Sequence, residues 1–107
     1  DQERYFEAKK VLKAYTKSKP EDAYGWTLYA FSERKLGALE KAEKLYEKAL
    51  VLDAENKAAL EYQGELFVQT NRLELAKRNL EKLYILCPNS CEEAEQLNAF
   101  ITKTAKK

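Results

Sequence analysis

Apolar side chains recur along this chain at the spacing of one helix face. Between positions 23 and 36 the apolar stripe consists of Trp26, Tyr29, Ala30 and Leu36. A second stripe follows, formed by Leu39, Ala42, Tyr46 and Ala49. Gly37 separates the two stripes and supplies the left-handed conformation that ends many helices. The pattern therefore predicts two antiparallel helices joined by a short turn.

The same pattern returns after 34 residues. Leu39 and Glu40 align with Leu73 and Glu74. The register also relates Gly37 to Asn71, Ala42 to Ala76, Pro20 to Ala54 and Pro88, Trp26 to Leu60 and Ala94, and Ala30 to Gly64 and Asn98. One pair of helices cannot bury both of its faces, so repeated pairs must stack on one another. The sequence predicts a short array of helix pairs.

Polar and small residues fit this array. Asp22, Asn56 and Ser90 are good N-cap residues at the predicted helix starts, and Ser90 with Glu93 forms the sequence signature of a capping box. Small residues recur where the helices of a pair should approach closely: Ala30, Ala42, Gly64 and Ala76. Larger side chains should fill the space around them: Trp26, Tyr46, Leu60 and Leu80.

Composition narrows the range of functions. The chain has 107 residues, with 19 Lys and Arg against 18 Asp and Glu, and this balance argues against binding to nucleic acid. It contains no His, which removes His-based acid–base chemistry, His-activated nucleophiles and His metal ligands. No glycine-rich phosphate loop or membrane-length apolar run is present. We therefore expect no enzyme, no cofactor, no metal, no nucleic-acid partner and no membrane insertion.

The chain begins at Asp1 and has no Met. We expect a processed protein or an excised segment, from which any targeting signal has been removed.

Cys87 and Cys91 flank the turn Pro88-Asn89-Ser90, and three interpretations remain open from the residues alone. In the first interpretation they are two separate thiols, one buried and one at a helix N-terminus, where the helix dipole lowers the pKa of the thiol. Alternatively, they form a disulfide across the turn, as in oxidising compartments. As a third alternative they bind a metal, although two thiolates supply only half of a tetrahedral site.

The run Trp26-x2-Tyr29-Ala30, followed by Gly37, Ala42, Tyr46 and Ala49, resembles the tetratricopeptide repeat, and the second copy matches through Leu60, Gly64, Phe67, Ala76, Leu80 and Pro88. The resemblance implies an all-α, right-handed superhelical solenoid of about six helices. It divides a single domain, 1–107, into 1–19 (second helix of an incomplete repeat), the repeats 22–55 and 56–89, and a capping helix at 90–107. Glu33 departs from the family pattern because an aromatic residue is usual there, and Asn98 stands where a small residue is usual.

The resemblance also implies a concave groove in which a peptide or partner protein lies. The groove would be lined by Tyr24, Thr27, Leu28, Phe31, Arg34 and Lys35, then by Ala58, Glu61, Tyr62, Glu65 and Gln69, and finally by Glu92, Glu95, Gln96 and Ala99. Phe31 and Tyr62 are the best anchors; alternatively, Tyr62 and Leu28 complete the core between helices. The Lys, Asn and Arg clamp of chaperone-binding members is absent. Because Glu61 and Glu65 would repel an acidic peptide, we expect a partner with apolar and basic residues.

The function that follows is a protein–protein interaction scaffold. The alternative is self-association into a homodimer through the N-terminal helix, where no preceding helix covers Tyr5, Phe6, Val11, Leu12 and Tyr15. The segment 86–93 is similar to the end of small bacterial tetratricopeptide proteins with paired cysteines before an acidic helix. Such proteins are often exported, so this similarity favours a periplasmic over a cytoplasmic location.

Overall fold

The computed structural model describes residues 1–105, which form six α-helices and no strand. The helices are α1 (Gln2–Ser18), α2 (Ala23–Lys35), α3 (Leu39–Leu52), α4 (Lys57–Gln69), α5 (Leu73–Leu86) and α6 (Glu92–Ala105). The prediction of an all-α fold with six helices is confirmed. Residues 106–107 of the predicted capping segment lie outside the described residues.

Helix boundaries follow the 34-residue register. Helices α2 and α4 begin at Ala23 and Lys57, and α3 and α5 begin at Leu39 and Leu73, so both pairs start 34 residues apart. The helix lengths also repeat: α2 and α4 each have 13 residues, and α3 and α5 each have 14. The repeat seen in the sequence is therefore a repeat of secondary structure.

The turn inside each pair is built in the same way. Gly37 has a φ of 88° and Asn71 a φ of 61°, the left-handed values that close a helix. In each turn two backbone N–H groups reach back to carbonyls of the last helical turn. These bonds run from Gly37 to Arg34 (2.9 Å), Ala38 to Glu33 (2.9 Å), Asn71 to Val68 (3.1 Å) and Arg72 to Phe67 (2.7 Å).

Two of the three predicted N-caps are confirmed. The carboxylate of Asp22 accepts hydrogen bonds from the backbone N–H groups of Tyr24 (3.0 Å) and Gly25 (3.3 Å). The side-chain oxygen of Asn56 accepts one from the N–H of Ala59 (3.0 Å). Both satisfy donors that would otherwise lack a partner in the first helical turn.

The predicted cap at Ser90 is wrong. Helix α6 begins at Glu92, which places Cys91 rather than Ser90 at the position before the helix. Ser90 itself adopts a φ of 74° inside the turn, and its hydroxyl donates to Glu95 (3.3 Å), not to the backbone near Glu93. The turn after Pro88 requires a left-handed residue, and this requirement overrides the capping signature.

The described chain divides into two compact units, Asp1–Ala59 and the part that begins at Leu60. In the first unit α1 packs against α2, and α2 packs against α3. Its core is made of completely or almost completely buried side chains: Tyr29, Ala30, Ala42, Tyr46 and Ala49. The single-domain interpretation and the repeat boundaries stay predictions.

In the second unit α5 packs against α6, and α4 approaches α6 closely. A Cβ atom added to Gly64 would lie 2.7 Å from a methyl group of Leu97, so only glycine fits there without a shift. The expected role of the small residues holds at Ala30, Ala42, Gly64 and Ala76, all of which are buried. Trp26 and Leu80 are only half-buried.

Glu33 replaces the expected aromatic residue with a buried ion cluster. Its side chain is only 1% exposed, yet it pairs with two lysines from neighbouring helices. Nζ of Lys9 on α1 lies 3.5 Å from one carboxylate oxygen, and Nζ of Lys41 on α3 lies 2.9 Å from the other. One residue of α2 therefore links all three helices of the first unit.

Candidate functional site

The residues predicted for the groove fall in both compact units, and each set is described within its own unit. Tyr24, Thr27, Phe31, Arg34 and Lys35 lie on α2 in the first unit. Glu61, Tyr62, Glu65 and Gln69 lie on α4, and Glu95 lies on α6, in the second unit.

The first unit contains an open cavity of about 260 Å³ between α1 and α2. Its wall is mainly apolar and consists of Val11, Leu12, Tyr15, Asp22, Tyr24, Gly25 and Leu28. Tyr24 is 54% exposed, so much of its ring faces solvent. Because Gly25 has no side chain, the ring of Tyr15 comes close to the α2 backbone: a Cβ at Gly25 would lie 2.7 Å from that ring.

The polar edge of this cavity is a contact between Tyr15 and Asp22. The hydroxyl of Tyr15 donates a short hydrogen bond to the carboxylate of Asp22. The bond lowers the pKa of Asp22, and backbone donors from Gly25 and Tyr24 lower it further. The same bond raises the pKa of Tyr15 because it favours the protonated phenol. The contact fixes the Tyr15 ring on the cavity wall.

Phe31 lies at a junction of α1 and α2. Its ring meets that of Tyr5 edge to face, with centroids 6.1 Å apart. The cationic groups of Arg34 and Lys35 lie 5.6 and 5.3 Å from the Phe31 centroid. Phe31 is half-buried, and this surface combines an aromatic ring with positive charge.

Thr27, also predicted for the groove, is buried in this structure. Its side chain is completely buried, and its hydroxyl donates to the carbonyl of Ala23 (2.9 Å). Its place in the groove stays a prediction. Arg34 is also mostly buried, whereas Tyr24 and Lys35 are exposed.

In the second unit, Glu61 and Glu65 are buried on successive turns of α4. Burial first, then a hydrogen bond with Glu65, and then the negative charges of Glu65, Glu93 and Glu92 raise the pKa of Glu61 to about 9. Glu61 therefore holds a proton at neutral pH. Tyr62 is half-buried.

Gln69 on α4 and Glu95 on α6 are both exposed. Glu95 accepts a hydrogen bond from Ser90, so its carboxylate faces the turn before α6.

A buried polar residue that the sequence prediction missed is Asn79 on α5. Its amide donates to the carbonyl of Leu60 (3.1 Å) and to the side chain of Gln63 (2.9 Å), which ties α5 to α4. The 34-residue register aligns Asn79 with Leu45. A polar residue at a position that is apolar in the other repeat is the signal that could have indicated this buried contact.

The turn between α5 and α6 contains a disulfide. Cys87 and Cys91 are four residues apart, their Cα atoms are separated by 5.9 Å, and the two sulfur atoms are bonded. No cluster of three or more Cys, Asp or Glu side chains in residues 1–105 has the arrangement of a metal site.

None of the helices that the structure describes is both long and apolar enough to cross a membrane.

Among solved structures, the chain is similar to the type III secretion translocator chaperone SycD of Yersinia enterocolitica, in a crystal structure described as an alternative dimer. The TM-score is 0.79 at 20% sequence identity, and the match covers 96% of this chain and 77% of the chaperone chain. At this identity the similarity shows a common helical-repeat fold. No protein-family model matches the chain, and no curated protein matches it.

Proposed function

We propose that this chain is a protein-interaction module that holds an apolar segment of a partner protein against its helices. The observation that carries the proposal is the open apolar cavity between α1 and α2, with the exposed ring of Tyr24 in its wall. A tyrosine in such a position offers a large contact area at a low cost in conformational entropy. The similar Yersinia protein is a translocator chaperone, and a role in contacting another protein agrees with the proposal.

The proposal keeps part of the groove predicted from the sequence. Tyr24 and Lys35 are exposed, and Phe31 and Tyr62 are half-buried, so these side chains offer surface to a partner within their own units. Phe31 already contacts Tyr5, and its outer edge lies beside Arg34 and Lys35. The proposed first-unit surface is therefore centred on the cavity and Tyr24, with Phe31 further along the same helix.

Peptide selection tests this proposal. The full chain is immobilised and exposed to a displayed library of random peptides, and the enriched peptides are synthesised and titrated against the protein. We expect Tyr24→Ser to weaken binding by at least about tenfold, as loss of an aromatic anchor does. Tyr84→Ser is the matched control, because Tyr84 is similarly exposed but lies on α5.

An unchanged affinity for Tyr24→Ser, or the absence of any enriched peptide, would contradict the proposal. Phe31→Ala and Tyr62→Ala test the anchors that the sequence predicted, each within its own unit. If neither variant changes the affinity, these two residues are not anchors.

Self-association through α1 is the second candidate, and one observation favours it. Val11 is 67% exposed, and Phe6 and Tyr15 on the same helix are also exposed. Tyr5 and Leu12, expected to be uncovered, are half-buried against α2. Phe6 is flanked by the ammonium groups of Lys9 and Lys10, 5.6 and 4.9 Å from its ring centroid. Light scattering over a concentration series, with Val11→Ser as the variant, tests this candidate; a monomer at every concentration would eliminate it.

A further inference from the structure

Carboxylates from two helices come together in the second unit. Glu61 and Glu65 lie one turn apart on α4, and Glu92 and Glu93 form the first turn of α6. The charges of Glu92 and Glu93 act on Glu61, so the beginning of α6 lies beside this part of α4. Helix α5 contributes the neutral amide of Asn79 to the same region, bonded to Leu60 and Gln63.

Glu61 is the unexplained member of this cluster. It is only 3% exposed, and among the described residues its Oε2 atom has no hydrogen-bond partner. A buried carboxyl oxygen without a partner costs free energy, and an apolar or amide side chain would avoid that cost. The close approach of Gly64 to Leu97 brings α4 and α6 together three residues along α4 from Glu61.

The occupant that satisfies this arrangement is a positive group. We propose that Glu61, with Glu92 and Glu93 at the rim, receives a lysine side chain of a partner peptide. The inference rests on the proposed protein-interaction function and names the chemistry of the partner. A metal ion is a poorer fit because no metal-type cluster exists in residues 1–105. Lysine suits a carboxyl that is only 3% exposed because a long thin stem carries its compact ammonium group.

Binding by this route exchanges a proton for a cation. In the free protein Glu61 is a neutral acid at neutral pH, because burial and the neighbouring carboxylates raise its pKa. When the ammonium group of the peptide arrives, the carboxyl becomes a carboxylate paired with it, and the released proton goes to solvent. The lysine brings one positive charge and the departing proton removes one, so the net charge of the site does not change. Binding therefore tightens as the pH rises towards the pKa of Glu61.

The experiment uses the full chain and all the peptides enriched in the display experiment above, whether or not their binding depends on Tyr24. We expect those peptides to contain lysine among apolar residues. Each is resynthesised with norleucine in place of lysine, which keeps the aliphatic stem and removes the ammonium group, and we expect at least about tenfold weaker binding for a lost desolvated pair. Glu61→Gln should discriminate less between the lysine and norleucine peptides than the wild type does, because only the charges of Glu92 and Glu93 remain. Glu81→Gln removes the same charge from an exposed position on α5 and should behave as wild type.

Two outcomes separate the failures. Equal binding of lysine and norleucine peptides to the wild-type chain overturns this inference but leaves the protein-interaction function standing. A library from which no peptide is enriched overturns both. Calorimetry in two buffers with different ionisation enthalpies adds a direct readout: release of about one proton per peptide supports the exchange, and no release contradicts it.

Discussion

Nζ of Lys41 lies 2.9 Å from a carboxylate oxygen of Glu33, a side chain that is almost completely buried. The hydrogen bond to Glu33, together with one to Tyr29, raises the pKa of Lys41. Lys9 approaches the other oxygen of the same carboxylate at 3.5 Å. A buried carboxylate is tolerated only when cations compensate it, so these two lysines determine whether Glu33 can occupy an apolar position of the repeat.

Lys41→Met should destabilise the protein by about 1–3 kcal/mol, less than the full loss of a buried pair because Lys9 remains and Lys41 is half-exposed. Methionine keeps an unbranched, flexible side chain of similar size and removes the ammonium group. Urea unfolding followed by circular dichroism measures the change. Lys77→Met is the matched control, because Lys77 pairs with the exposed Glu74 at 3.6 Å and should cost less than about 1 kcal/mol. Equal losses in the two variants would contradict the role of Glu33.

The stability of the protein should fall as the pH rises from about 5 to 8, because of Glu61. The folded state holds the Glu61 proton up to about pH 9, whereas the unfolded chain releases it near 4.5, the ordinary pKa of a glutamate side chain. Between these values the folded state binds more protons, so unfolding becomes easier by up to about 1.4 kcal/mol per pH unit.

Glu61→Gln should flatten this dependence and raise the stability at neutral pH. Urea unfolding at a series of pH values measures both effects. The groups acting on Glu61 are carboxylates, Glu65 on its own helix and Glu92 and Glu93 on α6, so none of them reverses the sign. A wild-type profile that rises through this range, or one that Glu61→Gln leaves unchanged, would contradict the prediction.

The repeat could be predicted because it depends on local properties. Gly37 and Asn71 end helices through their backbone conformation, and Asp22 and Asn56 begin them through short-range hydrogen bonds. Ser90 shows the limit of such signals. The same residue types occur at helix caps and in turns, and in this fold Ser90 lies in the turn.

The candidate site was less predictable because burial depends on how helices pack. Thr27 and Glu61 occupy positions that the resemblance assigns to an open groove, yet both side chains are buried. The partners of Glu33 come from 24 residues before it and 8 after it, on α1 and α3, and no periodic pattern within α2 indicates them. The apolar cavity similarly requires α1 and α2 together.

Gly64→Ala should destabilise the protein although alanine favours helices. The new Cβ would lie 2.7 Å and 2.8 Å from the two methyl groups of Leu97, and relieving such overlap costs about 1–3 kcal/mol. Because alanine gains up to about 1 kcal/mol in helix propensity, we expect a net loss of about 1–2 kcal/mol.

A double-mutant cycle with Leu97→Ala identifies the cause of this loss. Removing the Leu97 methyl groups relieves the overlap, so Gly64→Ala should cost less in that background than in the wild type. Gly25→Ala is a useful comparison: its Cβ would also lie 2.7 Å from a neighbour, the Tyr15 ring, which can move towards solvent only if its hydrogen bond to Asp22 breaks. Additive losses at Gly64 and Leu97 would exclude the contact as the cause.

Reduction of the Cys87–Cys91 disulfide should loosen the turn before α6. The bridge joins cysteines that are only four residues apart, so the chain-entropy model predicts that reduction lowers the free energy of unfolding by about 2 kcal/mol. The loosening should be local: the N–H of Ser90 donates to the carbonyl of Cys87 (2.8 Å), and its hydrogen exchange should accelerate.

The thiol content and the unfolding free energy together test this bridge. Protein purified without reductant should contain no free thiol, and its unfolding free energy should decrease when reductant is added. The Cys87→Ser/Cys91→Ser variant should match the reduced wild type and show no response to reductant. Two free thiols in the untreated protein would instead indicate separate cysteines. That result would remove the support that the paired cysteines give to a location in an oxidising compartment.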